Sequence, residues 1–191
     1  MIRVAILGDI GSGKTFVSRQ FGYPTFNADE EVRKIYKKNK LCFFKIKKAL
    51  PKFILSDFLN KNEIKNAILD DFKNLKKISK IVHPLVRKKL NNFLIKNKNR
   101  KMVVLDIPLL IENKLNKKDD ILIYIEAKKK NIQKKLKERE SYNRKIFNNL
   151  RLIQLPLAKK KRMSEFKLVN NFNSNKIKKD IIKIKKKILN K

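Results

Sequence analysis

One stretch, GDIGSGKT from Gly8 to Thr15, constrains this chain more than any other. The 191 residues include only four glycines: three stand at positions 8, 11 and 13, the fourth is Gly22, and none follows. A chain that avoids glycine elsewhere has a local reason to use it here. The stretch matches G-x-x-x-x-G-K-[ST] in full and lies between the apolar run IRVAILG and KTFVSRQFG, which has helical character. A loop that wraps a chain of phosphates must turn successive backbone N–H groups inward, which requires positive φ and no Cβ in the way. The pattern therefore predicts a buried strand, a phosphate cup and a helix in that order, with Lys14 reaching the β and γ phosphates of a nucleotide and the Thr15 hydroxyl ligating Mg²⁺. The plainer alternative is a strand-turn-helix corner without a ligand.

The rest of the chain continues the alternation. IRVAILG reads as a buried parallel strand, Gly22 stands where a helix terminator belongs, YPTFN reads as a short strand and ADEEVRKIYKK as a helix. From about Leu41 to Lys98 apolar residues recur at spacings of three and four, as in Ile64, Ile68, Leu69, Phe72 and Leu75, which predicts a helical insertion of two to four helices broken at Pro51 and Pro84. KMVVLDIP and DILIYIEA give two more strands, with LLIENKLNKKD as a loop or short helix between them. Two basic helices with a break near Ser141 follow, then a last strand in EFKLVNN. Isoleucines at 177, 181, 184 and 188 mark a closing amphipathic helix. Alternating strands and helices predict an open α/β sheet.

In such a sheet the ends of neighbouring strands face one crevice, so carboxylates there are the candidates for chemistry. Asp29, just after FNA, is placed to take a proton from an attacking hydroxyl, or else serves as a helix cap. Asp106 ends VVLD and either holds Mg²⁺ through a water or simply closes a strand.

The formal net charge of +34 points to anionic partners without naming the anion. Only nine of the 51 basic residues are arginine; the lysines are spread over almost every segment among many Asn and Ile, as a coding sequence rich in A and T would impose on solvated positions. Aromatic residues do not interleave with the basic runs as base-stacking platforms would, so specific nucleic-acid binding is not expected. Weak, salt-sensitive binding on the order of 10⁻⁴ to 10⁻⁶ M is the physical default for such a surface. Cys42 alone forms no intramolecular disulfide and suits a reducing compartment. No run approaches the roughly 18 apolar residues of a membrane span. A cytoplasmic protein, working as a monomer, is expected.

The segments ILGDIGSGKTFV, FNADEEVRKIY, IVHPLVRKKL, VVLDIPLLIEN and LKERES…NNLRLIQLPLAKKK…SEFKLVNN resemble, in this order, the landmarks of the dephospho-CoA kinase family, from Ile2 to about Asn171. The resemblance implies an α/β fold: a P-loop NTPase-type parallel sheet flanked by helices, with a helical substrate-binding insertion and a helical lid. It implies one P-loop kinase domain over residues 1–191, the CoA-binding insertion at about 41–98 and the lid at about 139–160. The implied reaction moves the γ-phosphate of ATP, with Mg²⁺, to the ribose 3′-hydroxyl of dephospho-CoA.

Carried over by position, Gly8, Gly11, Ser12, Gly13, Lys14, Thr15 and Phe16 bind ATP, and Asn170 lies near its adenine. Asp29 faces the acceptor hydroxyl, and Arg139 is the lid arginine that offsets charge on the transferring group. His83, the only histidine, falls at the family's His-Pro step between helices. Arg87, one turn on, and Lys61 belong to the acceptor site; Thr15 and Asp106 belong to the metal. Five departures stand out. Asp9 replaces the loop's usual second glycine, Asn27 the first of two carboxylates, and Lys61 an arginine, which removes a bidentate fork. Ser164 and Glu165 replace an alanine-aspartate step, and Arg151 is displaced by one position from the arginine expected before Gln154.

Overall fold

The computed structural model describes residues 1–138 and 142–190. Its elements in chain order are β1 (Ile2–Gly8), α1 (Lys14–Gln20), β2 (Thr25–Asn27), α2 (Ala28–Lys38), α3 (Lys40–Ala49), α4 (Lys61–Asp70), α5 (Lys73–Lys96), β3 (Met102–Asp106), β4 (Ile121–Glu126), α6 (Lys129–Lys137), α7 (Arg144–Leu152), α8 (Leu157–Met163), β5 (Phe166–Val169) and α9 (Ser174–Leu189). They form two compact units: Met1–Asn27 with Asn97–Tyr142 and Ile153–Lys191, and Ala28–Lys96 with Asn143–Leu152. No helix among the described residues is long and apolar enough to cross a membrane.

The first unit is built on a five-stranded sheet of order β2-β3-β1-β4-β5, parallel throughout. A parallel sheet covered on both faces demands strands without a polar side, which explains the unbroken apolar runs. All five residues of β3 and five of the seven in β1 are buried. Val17 and Phe21, from α1 and its end, join Ile177, Ile181, Ile184 and Ile188 of α9 in one cluster with Val4, Ile6, Val104, Ile123, Ile125 and Leu168. Each such side chain contributes roughly 1.5–3 kcal/mol when fully buried. The isoleucine stripe read in the sequence is thus the face that seats α9.

The strands fall where the apolar runs place them, with β2 reduced to Thr25–Asn27. Pro24, lacking an N–H, lies just before β2 and still accepts a hydrogen bond from Val104 N. Gly22 follows the C-cap Phe21 with φ +69, as a helix terminator should. One element was missed: α8 occupies LAKKKRM, where lysines hide the helical pattern because only Lys160 is buried.

In the second unit α5 packs against α2, α3 and α4, and α7 packs against α4. The lone cysteine, Cys42, is buried in α3. Pro84 does not break a helix: α5 runs unbroken from Lys73 to Lys96 with Pro84 inside it. An interior proline costs about 3 kcal/mol. Here the buried residues Ile78, Val82, Val86 and Leu90 recur every four positions through it, so both halves are held to one apolar seam. His83 accordingly sits in mid-helix rather than at a step between helices. The half-buried Ile68, Leu69, Phe72 and Leu75 contribute less than their spacing suggests. Ala67, fully buried, and Asn74, whose side chain donates to the Ala67 carbonyl at 2.9 Å, join α4 to α5.

Candidate active site

The loop from Gly8 to Gly13 leaves the carboxyl end of β1 with φ +148 at Gly8, +84 at Gly11 and +88 at Gly13. At Gly8 a Cβ would stand 2.7 Å from both the Ile125 carbonyl and Ser12 Oγ, so the strand's exit admits no side chain. Ser12 N donates to the Asp9 carbonyl at 3.2 Å, closing the turn, and Gly13 caps α1, whose first turn carries no acidic residue. Lys14 Nζ donates to the carbonyls of Asp9 at 2.8 Å and Gly8 at 3.3 Å, which holds the ammonium over the loop. Asp9 is buried and its Oδ1 accepts from Ile10 N at 2.7 Å. The carboxylate that replaces the usual glycine is therefore engaged with its own loop. Thr15 and Phe16 are exposed in the first turn of α1.

Asp106 ends β3, and in the sheet it stands beside Asn27, the last residue of β2. Asn27 Nδ2 donates to Asp106 Oδ2 at 2.6 Å, and the Thr15 hydroxyl donates to the same carboxylate. Asp106 is only 3% exposed. Burial raises its pKa above the ordinary value, against the opposing hydrogen bond of Thr15, the charge of Lys14, the hydrogen bond of Asn27 and the charge of Arg19. Asn27 explains how one buried carboxylate is tolerated there: an amide donor sits where a second carboxylate would repel it. The hydroxyl and carboxylate together form an all-oxygen donor pair, the chemistry a hard cation such as Mg²⁺ prefers.

Asn170 follows β5 and is 1% exposed. Its Nδ2 donates to the Ser12 carbonyl at 2.8 Å, and its Oδ1 accepts from Phe172 N at 2.8 Å. Both ends of the amide are thus engaged inside the protein, where the sequence suggests a place near adenine. Phe172 adopts φ +64, uncommon for an aromatic residue, and its ring borders Gly13.

A second set of side chains in the first unit carried no assigned role in the sequence. Lys160 Nζ lies 2.6 Å from Glu112 Oε1, with side-chain exposures of 4% and 11%, and Leu155 N donates to the same oxygen at 2.9 Å. Glu112 belongs to the quoted PLLIEN, so the motif was visible while its partners, 43 and more residues on, were not.

In the second unit the candidates are side chains on helix surfaces. Asp29 is exposed in the first turn of α2, and its backbone carbonyl accepts from Arg33 Nε at 3.3 Å. Lys61 is exposed and opens α4, which is capped by Asn60. That helix is fixed further by Glu63 Oε1, which accepts from Leu55 N, Ser56 N and Ser56 Oγ at 3.2, 3.0 and 2.8 Å. His83 is half-buried and Arg87 exposed on α5. Burial, then the nearby Arg87 charge, lowers the His83 pKa and favours the neutral ring. Arg139 lies outside the described residues, as does Ser141. Of the span expected as a lid, α7 falls in the second unit and residues 153–160 in the first. The Arg151 guanidinium stacks 5.4 Å from the centre of the Phe147 ring, and Lys145 Nζ donates to the Leu69 carbonyl at 2.8 Å.

Comparison with known proteins gives one consistent result. The family model for dephospho-CoA kinase matches residues 2–176. A protein of the Wolbachia of Brugia malayi, named dephospho-CoA kinase, is 32% identical over 168 residues, covering 85% of this chain and 86% of that one. A solved Thermus thermophilus protein superposes with a TM-score of 0.77 at 24% identity, over 96% of this chain and 95% of its own. A dephospho-CoA kinase from Campylobacter jejuni does so with a TM-score of 0.64 at 19% identity, over 97% and 96%.

Proposed function

This chain belongs to the dephospho-CoA kinase family, and we propose that its named residues divide the transfer of the ATP γ-phosphate to the ribose 3′-hydroxyl of dephospho-CoA as follows. The observation that carries the reading is the carboxyl edge of the sheet. There the glycine loop leaves β1, while Asp106 closes β3 with hydrogen bonds from Thr15 and Asn27.

The donor is ATP. The Gly8–Thr15 backbone and Phe16 hold it, and Lys14 exchanges its carbonyl partners for phosphate oxygens. Thr15 and Asp106 are the proposed holders of Mg²⁺. When bound, the ion neutralises charge gathering on the phosphates. The acceptor side is assigned to Asp29, Lys61, His83 and Arg87. One carboxylate oxygen of Asp29 accepts the proton of the 3′-hydroxyl as its oxygen forms the bond to phosphorus and the bond to ADP breaks. Asp29 lies two positions beyond Asn27 in the chain, so the short β2–α2 junction supports its assignment to this chemistry. Arg87 and Lys61 offer charge to the acceptor's phosphates, and neutral His83 offers a ring nitrogen as donor or acceptor. Arg139 counters charge on the transferring group, a contribution that reaches 10³–10⁵ in related chemistry. Positioning and electrostatics do most of the work in such sites.

The helical insertion at about 41–98 is read as the CoA-binding part and 139–160 as the lid, in a monomeric cytoplasmic enzyme. The +34 charge speeds capture of anionic substrates and needs no nucleic-acid target.

The test is ADP release by purified protein with ATP and Mg²⁺, using dephospho-CoA against a panel of nucleoside monophosphates and small alcohols. Turnover on dephospho-CoA well above the panel supports the reading. Preference for a nucleoside monophosphate would replace it with a different kinase, and a specific oligonucleotide complex surviving physiological salt would reopen the nucleic-acid alternative.

A further inference from the structure

We propose that Asn170 is a positioning residue for the phosphate cup: it fixes the Ser12–Gly13 peptide so that the Gly13 N–H is aimed at the nucleotide's phosphates, and it makes no contact with the base. This rests on the ATP reading above and sharpens it. The argument begins with the peptide group. The carbonyl of Ser12 and the N–H of Gly13 belong to one planar unit and point in opposite directions, so whatever anchors the first orients the second. Asn170 Nδ2 anchors it, in a buried hydrogen bond of 2.8 Å that spans 158 positions of sequence.

Three further observations make this an anchor rather than a chance contact. The carboxamide cannot rotate freely, because its Oδ1 is taken by Phe172 N at 2.8 Å, which leaves Nδ2 as the end that faces Ser12. The second is Gly13 itself: a Cβ there would collide with Asn170 Nδ2, so the glycine makes room for the amide as well as for the φ of +88. Thirdly, Phe172 holds φ +64 to complete the turn that presents Asn170, a conformation unfavourable for a bulky residue. Such strain persists where surrounding structure fixes it. The turn is in turn seated by α9, whose N-cap Asn173 directly follows and whose isoleucines are buried in the sheet's cluster.

The two possible roles of Asn170 separate by ligand. A residue acting on the peptide of the cup affects every polyphosphate alike, whereas a residue touching adenine affects only the nucleotide. The experiment is isothermal titration of wild type, Asn170→Ala and Asn170→Asp with ATP and, separately, inorganic tripolyphosphate. Steady-state kinetics accompany it. Aspartate preserves the acceptor for Phe172 N and removes the donor to Ser12. Stoichiometry reports the folded fraction and Kd reports the cup, so partial unfolding lowers the first without imitating the second.

Both variants are expected to weaken ATP and tripolyphosphate by the same factor, about tenfold or more, as loss of a hydrogen bond in a charged site does. KM for dephospho-CoA should stay unchanged. Loss confined to ATP would make Asn170 a base contact and overturn the inference; so would wild-type affinity for both ligands in both variants. Wild-type protein that takes neither ligand would bring down the nucleotide reading itself, and this inference with it.

Discussion

The residues at the carboxyl edge of the sheet and those on the surfaces of α2, α4 and α5 are built by different rules. Ser12, Asn27, Asp106 and Asn170 are each buried, and Asn27, Asp106 and Asn170 are bonded side chain to side chain or side chain to loop. Asp29, Lys61 and Arg87 are exposed on helices whose stability lies in their other faces. The first group is architecture, and in the function proposed above it is chemistry as well, so a change there should disturb both. The second group lies on solvent-facing helix surfaces, and its substitutions should register in function more than in stability.

The largest effect is expected at Asp29. Asp29→Asn should lower kcat by about 10²–10⁴, the range of a lost general base, with ATP affinity and melting temperature unchanged. A fall in melting temperature of more than a few degrees would show that Asp29 is architecture after all. Gly13→Ala comes next and should do what Asp29→Asn does not. It loses activity by about 10²–10³, as when a fixed donor to a developing charge is displaced. It also destabilises the protein by about 1–3 kcal/mol through backbone strain, read from urea midpoints. An active, fully stable Gly13→Ala protein would erase the distinction between the groups.

Smaller effects belong to the acceptor side. Arg87→Ala should raise KM for dephospho-CoA by about tenfold, the scale of a lost charged hydrogen bond, and leave KM for ATP and the melting curve in place. Lys61→Arg should lower that same KM by restoring a bidentate fork. The least effect is expected at His83. Its folded pKa lies below the ordinary 6.5, so the unfolded chain takes up the proton first. The contribution to stability is therefore complete above about pH 6.5 and is lost as the pH falls through the folded value. His83→Asn should flatten that part of the urea-midpoint profile between pH 7.5 and 5.5.

The same contrast explains what the sequence made legible. The glycine loop between β1 and α1 could be read because it is made of backbone, and backbone demands leave unambiguous residue types: glycines at 8, 11 and 13 in a chain that has almost none elsewhere. The strands were readable because a parallel sheet admits no polar face, and α9 because its isoleucines keep helical spacing. Pro84 misled because local propensity says break, while the seam of Ile78, Val82, Val86 and Leu90 is a tertiary fact. Asn27 opposite Asp106, Asn170 on Ser12 and Lys160 on Glu112 were equally hidden, since each is a pairing across the fold between residues of ordinary type. Exposed Lys61 and Arg87 were visible only through family resemblance, for a cation among 51 carries no local mark.

The bond from Asn170 to Ser12 also sets an order of events during synthesis. The glycine loop leaves the ribosome well before its brace, which lies 158 positions later with α9 still to follow. Contacts of such separation form late because the intervening chain must first be brought together. A nascent chain therefore carries the recognisable loop long before it carries a finished one, and a product truncated ahead of Asn170 would keep the signature while lacking the grip.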